Sequence, residues 1–203
     1  MIIARGAEAV LKKEGEKLVK ERISKGYRIK EIDNLLRSER TEHESRLINE
    51  ARRNGINVPL ILEKDLNKME LVMEFLDGPV LRDELPKLPK TKQDEVCITI
   101  GKMIGELHKA GIIHGDLTTS NMILHNKMVY FIDFGLGFFS KNVEDKAVDL
   151  HLIKEALVAK HNKIWKSCFN NILKGYKSIL GSETKKIIER LNAVEKRGRY
   201  SNK

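Results

Sequence analysis

Three polar residues with ordered spacing lie between His114 and Gly135: Asp116, Asn121 five residues later, and Asp133 followed by Phe134-Gly135. Between them an apolar alternating run, a His125-Asn126-Lys127 turn and a second apolar run read as strand, turn and strand, with an acid at each mouth. Mg²⁺ prefers hard oxygen ligands, usually taking one or two carboxylates from the protein and the rest from phosphate and water. The combination suits phosphoryl transfer, with Asn121 and Asp133 holding metal. Asp116 then sits where it can accept a hydroxyl proton or orient the nucleophile. Taken singly, an Asp or Asn in a turn does no more than cap backbone groups.

In this order, separated by one hairpin, these residues resemble the catalytic and metal-binding loops of the protein-kinase superfamily. The resemblance implies further elements, and each has a candidate. A turn of small residues over the ATP phosphates would be Gly6-Ala7-Glu8-Ala9, although only Gly6 remains of a pattern that normally carries three glycines. Lys20 follows Gly6 by fourteen residues, in the strand pattern Lys17 to Ile23, where a kinase places its phosphate-contacting lysine. Its expected partner is Glu44, on the apolar face of a helix that begins near Arg40 and ends at Gly55. A second reading of Glu44 is open: Thr41-Glu42-His43-Glu44 matches a capping box, in which Glu44 reaches back to the Thr41 N–H. Adenine would meet the backbone of a hinge at Glu74 and Leu76, just after Met73.

The remaining elements position these groups. Met1 to Ala4 and Ala9 to Lys13 read as strands before Lys20, and Leu60 to Leu62 with Glu70 to Leu76 as a strand pair. Residues 91 to 110 have a helical pattern stopped by Gly111. His114 is expected to pack and hydrogen-bond within the loop rather than hold metal, because no second ligand stands at metal spacing. Thirteen residues separate Gly135 from Asp149, which is expected to open the next helix and brace the catalytic loop. That gap has no Ala-Pro-Glu motif and no room for a peptide-docking platform. Glu183 to Leu191 is helix-like. The predicted fold is α+β: a minimal two-lobed kinase-like arrangement with no long activation segment. Its N-lobe spans 1–75 and carries a β-sheet and one main helix, and its helical C-lobe spans 76–203.

Composition sets outer limits. A chain of 203 residues suits one domain or two small lobes. The two cysteines, Cys97 and Cys168, stand apart without metal-spaced partners, implying neither a disulfide framework nor a zinc site. No run approaches a membrane span, and a cytoplasmic location is expected. The formal charge of +9 favours an anionic partner. Basic residues concentrate in two places, eight between Lys12 and Lys30 and seven between Lys185 and Lys203. Lys196, Arg197 and Arg199 in the second group are candidates for RNA contact.

The run Gly6-Ala7-Glu8-Ala9, Lys25-Gly26-Tyr27-Arg28, Glu44-Ser45-Arg46-Leu47, His114 to Asn121, Ile132 to Gly137, Glu144 to Leu150 and Arg197-Gly198-Arg199 resembles one family closely. It is the small atypical kinase of the archaeal and eukaryotic KEOPS complex, a relative of the RIO kinases. The resemblance spans nearly the whole chain. It implies ATP and Mg²⁺ as cofactors and a serine/threonine kinase or ATPase activity that supports N6-threonylcarbamoyladenosine formation beside the tRNA anticodon. It also implies partners: the KEOPS transferase subunit, a second small KEOPS subunit and tRNA. In some archaea transferase and kinase share one polypeptide. Two other classes remain open. One is a small-molecule phosphotransferase of the aminoglycoside or choline kinase type, which usually needs a larger helical substrate domain. The other is a catalytically silent RNA-binding scaffold, against which the retention of Lys20, Asp116, Asn121 and Asp133 argues.

Overall fold

A computed structural model describes the backbone of residues 1–200 and the side chains through Arg197. The chain opens with strands β1 (Ile2–Arg5), β2 (Ala9–Glu14) and β3 (Lys17–Arg22), followed by helix α1 (Lys30–Arg53) and strands β4 (Ile61–Asp65) and β5 (Glu70–Glu74). The five strands form one antiparallel sheet in the order β1-β2-β3-β5-β4. Gly15, at φ +60°, begins the two-residue turn that joins β2 to β3 and closes on the Glu14–Lys17 pair.

Helix α1 is longer than the sequence pattern predicts. It begins at Lys30, ten residues before the expected start, and absorbs the Ile32, Leu35 and Leu36 pattern into one helix of 24 residues. Its first half is moored by charge rather than by an apolar stripe. Asp33 is buried and accepts hydrogen bonds from Ser24 Oγ at 2.9 Å, Arg37 Nε at 2.9 Å and the Lys25 N–H at 3.3 Å. Ile32 and Leu35 stay exposed. Thr41 therefore lies mid-helix, its hydroxyl donating to the Arg37 carbonyl at 2.8 Å, so the capping box does not form.

After the sheet, a short helix α2 (Leu81–Glu84) leads into α3 (Lys90–Lys109), and Gly111 at φ +74° turns the chain into β6 (Ile112–Ile113). The hairpin of β7 (Met122–His125) and β8 (Met128–Phe131) follows. Asn126 and Lys127 both take positive φ, 50° and 64°, which gives their two-residue turn the twist that suits paired strands. Strand β9 (Phe138–Phe139) pairs with β6, and helices α4 (Val143–Lys160), α5 (Trp165–Leu180) and α6 (Glu183–Tyr200) complete the described chain. Helix α4 starts six residues before Asp149. Asp145, in its first turn, accepts from Ser140 Oγ at 2.6 Å and Asn142 Nδ2 at 3.2 Å, which ties the entering loop to the start of the helix.

One apolar core runs from Leu47 and Ile48 on α1 through Leu81, Leu107, Phe131 and Phe134 to Ile172 and Tyr176 on α5. Helices α3 and α5 approach so closely that neither contact glycine can carry a side chain. A Cβ on Gly101 would lie 1.9 Å from the Ile172 carbonyl oxygen, and one on Gly175 would lie 2.0 Å from that of Ile98. Gly101→Ala is therefore expected to destabilise the protein by about 2–3 kcal/mol or more, because backbone must move to admit a methyl group. Urea unfolding of the variant against the wild type measures this.

Candidate active site

Antiparallel pairing with β2 and β5 aims alternate side chains of β3 to one face, bringing Lys20 toward α1. Its ammonium donates to Glu44 Oε1 at 2.6 Å and to Asp133 Oδ1 at 2.9 Å. Of the two readings of Glu44, the lysine pair is the one observed. Glu44 is only 2 % exposed, and its other oxygen, Oε2, accepts from Arg22 Nη2 at 2.5 Å. Burial lowers the Lys20 pKa, but the Glu44 and Asp133 carboxylates outweigh it and hold the ammonium above its ordinary value. Burial likewise raises Asp133, and is outweighed by the Lys20 ammonium and the Gly135 N–H, which hold the carboxyl below the usual carboxylate range.

The loop before β7 is built on a buried carboxylate. Asp149 of α4 accepts the His114 N–H at 2.8 Å and the Gly115 N–H at 2.9 Å, which is the brace expected from the sequence. The same carboxylate contacts His108 Nε2 at 3.2 Å, and His108 Nδ1 lies 2.7 Å from the Tyr176 hydroxyl. Burial, with Glu183 and Asp149 nearby, pushes the Tyr176 phenol up and keeps it neutral. Gly115 sits at φ +77°, where a Cβ would meet the Leu136 carbonyl oxygen at 2.2 Å, so this position admits only glycine.

His114 is fully buried and packs against Phe134, with ring centroids 4.5 Å apart and planes tilted by 41°. Its Nδ1 accepts from the Asp116 N–H at 3.3 Å and its Nε2 donates to the Ile132 carbonyl at 3.2 Å. It thus joins the two loops as packing and hydrogen-bonding sequence logic predicts. Asp116 Oδ2 accepts from Asn121 Nδ2 at 2.7 Å, and the same amide group reaches the Asp116 carbonyl at 2.9 Å. Asp133 takes φ +61°, a left-handed conformation that costs a non-glycine residue about 1 kcal/mol or more and aims its carboxylate at the strands above.

All the sequence candidates for nucleotide, metal and catalysis line a single cleft of about 660 Å³, a size suited to a small ligand. Gly6 to Ala9 roof it. Glu8 is paired with Arg40 at 2.7 Å, and Lys25 donates to the Ala7 carbonyl. At the hinge, the Phe75 N–H bonds to the Glu16 carbonyl at 3.0 Å, and the Glu74 N–H bonds to that of Leu60 at 2.9 Å. No hydrogen-bond partner for the Leu76 N–H occurs among the described residues, which leaves a donor facing the cleft's edge. Asn121 Oδ1 and Asp133 Oδ2 also have no donor among the described residues. Two oxygens with phosphate and water to complete the shell fit Mg²⁺ rather than an all-protein metal cage, and no cluster of three or more His, Cys, Asp or Glu that could hold metal occurs among the described residues.

The basic stretch from Lys12 to Lys30 is largely taken up by partners within the chain. Lys12 pairs with Glu21, Lys20 and Arg22 with Glu44, and Arg28 with Asp33, while Lys13 lies 3.8 Å over the Phe75 ring. In the tail, Lys196 is exposed and Arg197 contacts Glu144 at 3.3 Å, whereas the side chain of Arg199 falls outside the described residues. Arg22 and His43 are the residues that sequence reasoning missed. His43 Nε2 donates to the Gly137 carbonyl at 3.0 Å, and its ring packs edge-on against Phe139. The signal for Arg22 was its place two residues beyond Lys20, on the same strand face.

Burial holds the His114 pKa below 6.5, so the ring is neutral when folded and gains a proton on unfolding as pH falls. The unfolded state then binds more protons below pH about 6.5, and stability drops with pH in that range. Melting temperature measured from pH 7.5 to 5.5 is expected to fall for the wild type and to fall less steeply for His114→Gln. His161, also held low by burial, retains part of the slope.

A family profile described as RIO domain matches residues 10–149. The chain is 49% identical over 184 residues to the KEOPS complex subunit Bud32 of Pyrococcus abyssi, an alignment covering 90% of this chain and 84% of that protein. It is 42% identical to a probable serine/threonine-protein kinase BUD32 homolog of Archaeoglobus fulgidus, covering 96% and 94%. A probable bifunctional tRNA threonylcarbamoyladenosine biosynthesis protein of Methanothermobacter thermautotrophicus is 44% identical, and the match covers 98% of this chain but only 36% of that longer protein. Among solved structures, the Rio2 kinase complex with ADP/Mg²⁺ and phosphoaspartate from Chaetomium thermophilum superposes with TM-score 0.62 at 16% identity, covering 98% of this chain and 70% of that one. The fold is thus the α+β kinase-like fold, and the chain belongs to the RIO-domain family, among the atypical kinases of the KEOPS Bud32 group.

Proposed function

We propose that this chain is the ATP- and Mg²⁺-dependent kinase and ATPase subunit of a KEOPS-type assembly, supporting N6-threonylcarbamoyladenosine formation in tRNA. The observation that carries the nucleotide reading is the Glu44–Lys20–Asp133 chain of contacts in a cleft closed on its far side by Asp116 and Asn121. Gly6 to Ala9 would cover the phosphates, and the hinge at Glu74 and Leu76 would meet adenine through backbone. Asn121 and Asp133 would hold Mg²⁺, which when bound neutralises phosphate charge and orients the terminal phosphoryl group. Lys20 would contact the phosphates, with Glu44 fixing its position. Asp116 keeps one carboxylate oxygen on Asn121 and has the other to accept the proton of the attacking hydroxyl or water. The oxygen of that hydroxyl or water would then form the new bond to the terminal phosphorus as the bond to the bridging oxygen breaks and ADP leaves. The division into lobes at 1–75 and 76–203 belongs to this reading, with the cleft between them.

The acceptor side supports a regulated ATPase over a peptide kinase. Only β9 and a few loop residues separate Gly135 from α4, and no segment there offers an extended docking strip. The relatives' names support the assembly: KEOPS for the Pyrococcus protein, and tRNA threonylcarbamoyladenosine biosynthesis for the bifunctional ones, of which the matched region is about a third. The partners would be the KEOPS transferase subunit, a second small KEOPS subunit and tRNA. Lys196, Arg197 and Arg199 would contact the RNA, and the location would be cytoplasmic. No helix among the described residues is long and apolar enough to cross a membrane. A small-molecule phosphotransferase is not favoured by any of these relatives.

Phosphate release from Mg-ATP tests the reading. Wild type alone is expected to turn over slowly and to be stimulated at least tenfold by the transferase partner with tRNA. Asp133→Ala and Asp116→Ala are expected to stay at background under all conditions. Equal background release from all three proteins, with and without partners, would sink the enzymatic reading in favour of a silent scaffold.

A further inference from the structure

Glu44 is held by two cations rather than one. Lys20 takes Oε1 at 2.6 Å and Arg22 takes Oε2 at 2.5 Å, and all three side chains are buried or nearly so. Lys20 and Arg22 lie two residues apart on β3 and so share a face. Arg22 is fixed from both ends: its Nη2 also donates to the Arg40 carbonyl at 3.3 Å, and its own carbonyl accepts from Arg37 Nη1 at 3.1 Å. It also borders the Asp133-Phe134-Gly135 turn, where a Cβ on Gly135 would lie 3.7 Å from Arg22 Nη2 and 3.8 Å from Glu44 Oε2. With Asp133 on Lys20 at 2.9 Å, the cluster holds two cations and two carboxylates.

That balance has a mechanical side, resting on the nucleotide reading above. When phosphates draw on Lys20, a carboxylate only 2 % exposed would be left short of countercharge, and a buried unpaired charge is costly. Glu44 held by Lys20 alone would resist giving the ammonium up. We propose that Arg22 is a positioning residue for the nucleotide: it keeps Glu44 neutralised, so that Lys20 passes from Asp133 to phosphate while α1 stays docked. Arg22 lines the cleft, but its guanidinium is engaged by Glu44 and the Arg40 carbonyl. Because its contact with Glu44 is made through a single nitrogen, a lysine can replace it in charge, unlike at a bidentate site.

Three variants of the full chain separate charge from packing: Arg22→Lys, Arg22→Gln and Arg22→Met. Mg-ADP affinity is measured by titration calorimetry, KM and kcat for ATP by phosphate release, and folding by thermal melts. Arg22→Gln, which can keep the bond to the Arg40 carbonyl without charge, is expected to bind Mg-ADP about tenfold more weakly, with KM raised in proportion and kcat within about twofold. Arg22→Met should match it, and Arg22→Lys should stay within about threefold of wild type. Gln binding Mg-ADP like wild type, or Lys failing as fully as Gln, overturns the inference. A wild type that binds no Mg-ADP overturns the nucleotide reading itself, whereas a wild type that binds beside an equally competent Gln variant overturns only the role of Arg22.

Discussion

A carboxylate cannot be taken out of water without countercharge, and Glu44 imposes that condition on the whole N-terminal half of the structure. It sits in mid-helix, so α1 can dock only where β3 presents cations. Removing one partner of such a buried pair typically costs about 3–5 kcal/mol. Helix placement, strand register and the position of Lys20 are therefore one decision rather than three. The first turns of α1 follow the same logic through Asp33, whose carboxylate gathers Ser24, Lys25, Arg28 and Arg37.

The helical half uses a second buried carboxylate for a different purpose. Asp149 receives two consecutive backbone N–H groups from the loop after β6 and hands its remaining contact to His108, itself linked to Tyr176 on α5. The loop that carries Asp116 thereby hangs from the core instead of from its own turn. His114 ties that loop to the residue before Asp133, so the two acids of the site are positioned by one neutral ring. His43 does the corresponding job for the segment after Gly135, bonding the Gly137 carbonyl to α1 without a phosphorylated residue.

The grouping of the candidate residues was legible in the sequence because they sit at short, fixed intervals in loops bounded by strong patterns. Asp116 lies just before the short helical turn Thr119–Asn121, Asn121 ends that turn, and the β7–β8 hairpin then delivers Asp133. What escaped was positioned through charge or through small residues. The start of α1 escaped because Asp33, and not the exposed Ile32 and Leu35, moors it, and Thr41 imitates a helix start while sitting inside one. Helix α5 carries Cys168, Phe169, Ile172 and Tyr176 at helical spacing, and Gly175 within it meets the Ile98 backbone too closely for any side chain. The basic stretch from Lys12 to Lys30 reads as a concentration of free charge until its partners are seen, and Glu44, which takes both Lys20 and Arg22, lies more than twenty residues away in sequence.

The direct contact between Lys20 and Asp133 also bears on how cofactors enter. On the proposed roles, a cation arriving alone must compete with an ammonium for Asp133, and a polyphosphate arriving alone must compete with a carboxylate for Lys20. Each pays to break the same ion pair, and the pair is broken only once when both arrive. Metal and nucleotide are then thermodynamically linked, each raising the affinity for the other by the same factor. The closed ion pair acts as a coincidence detector, quiet toward free nucleotide and toward free metal.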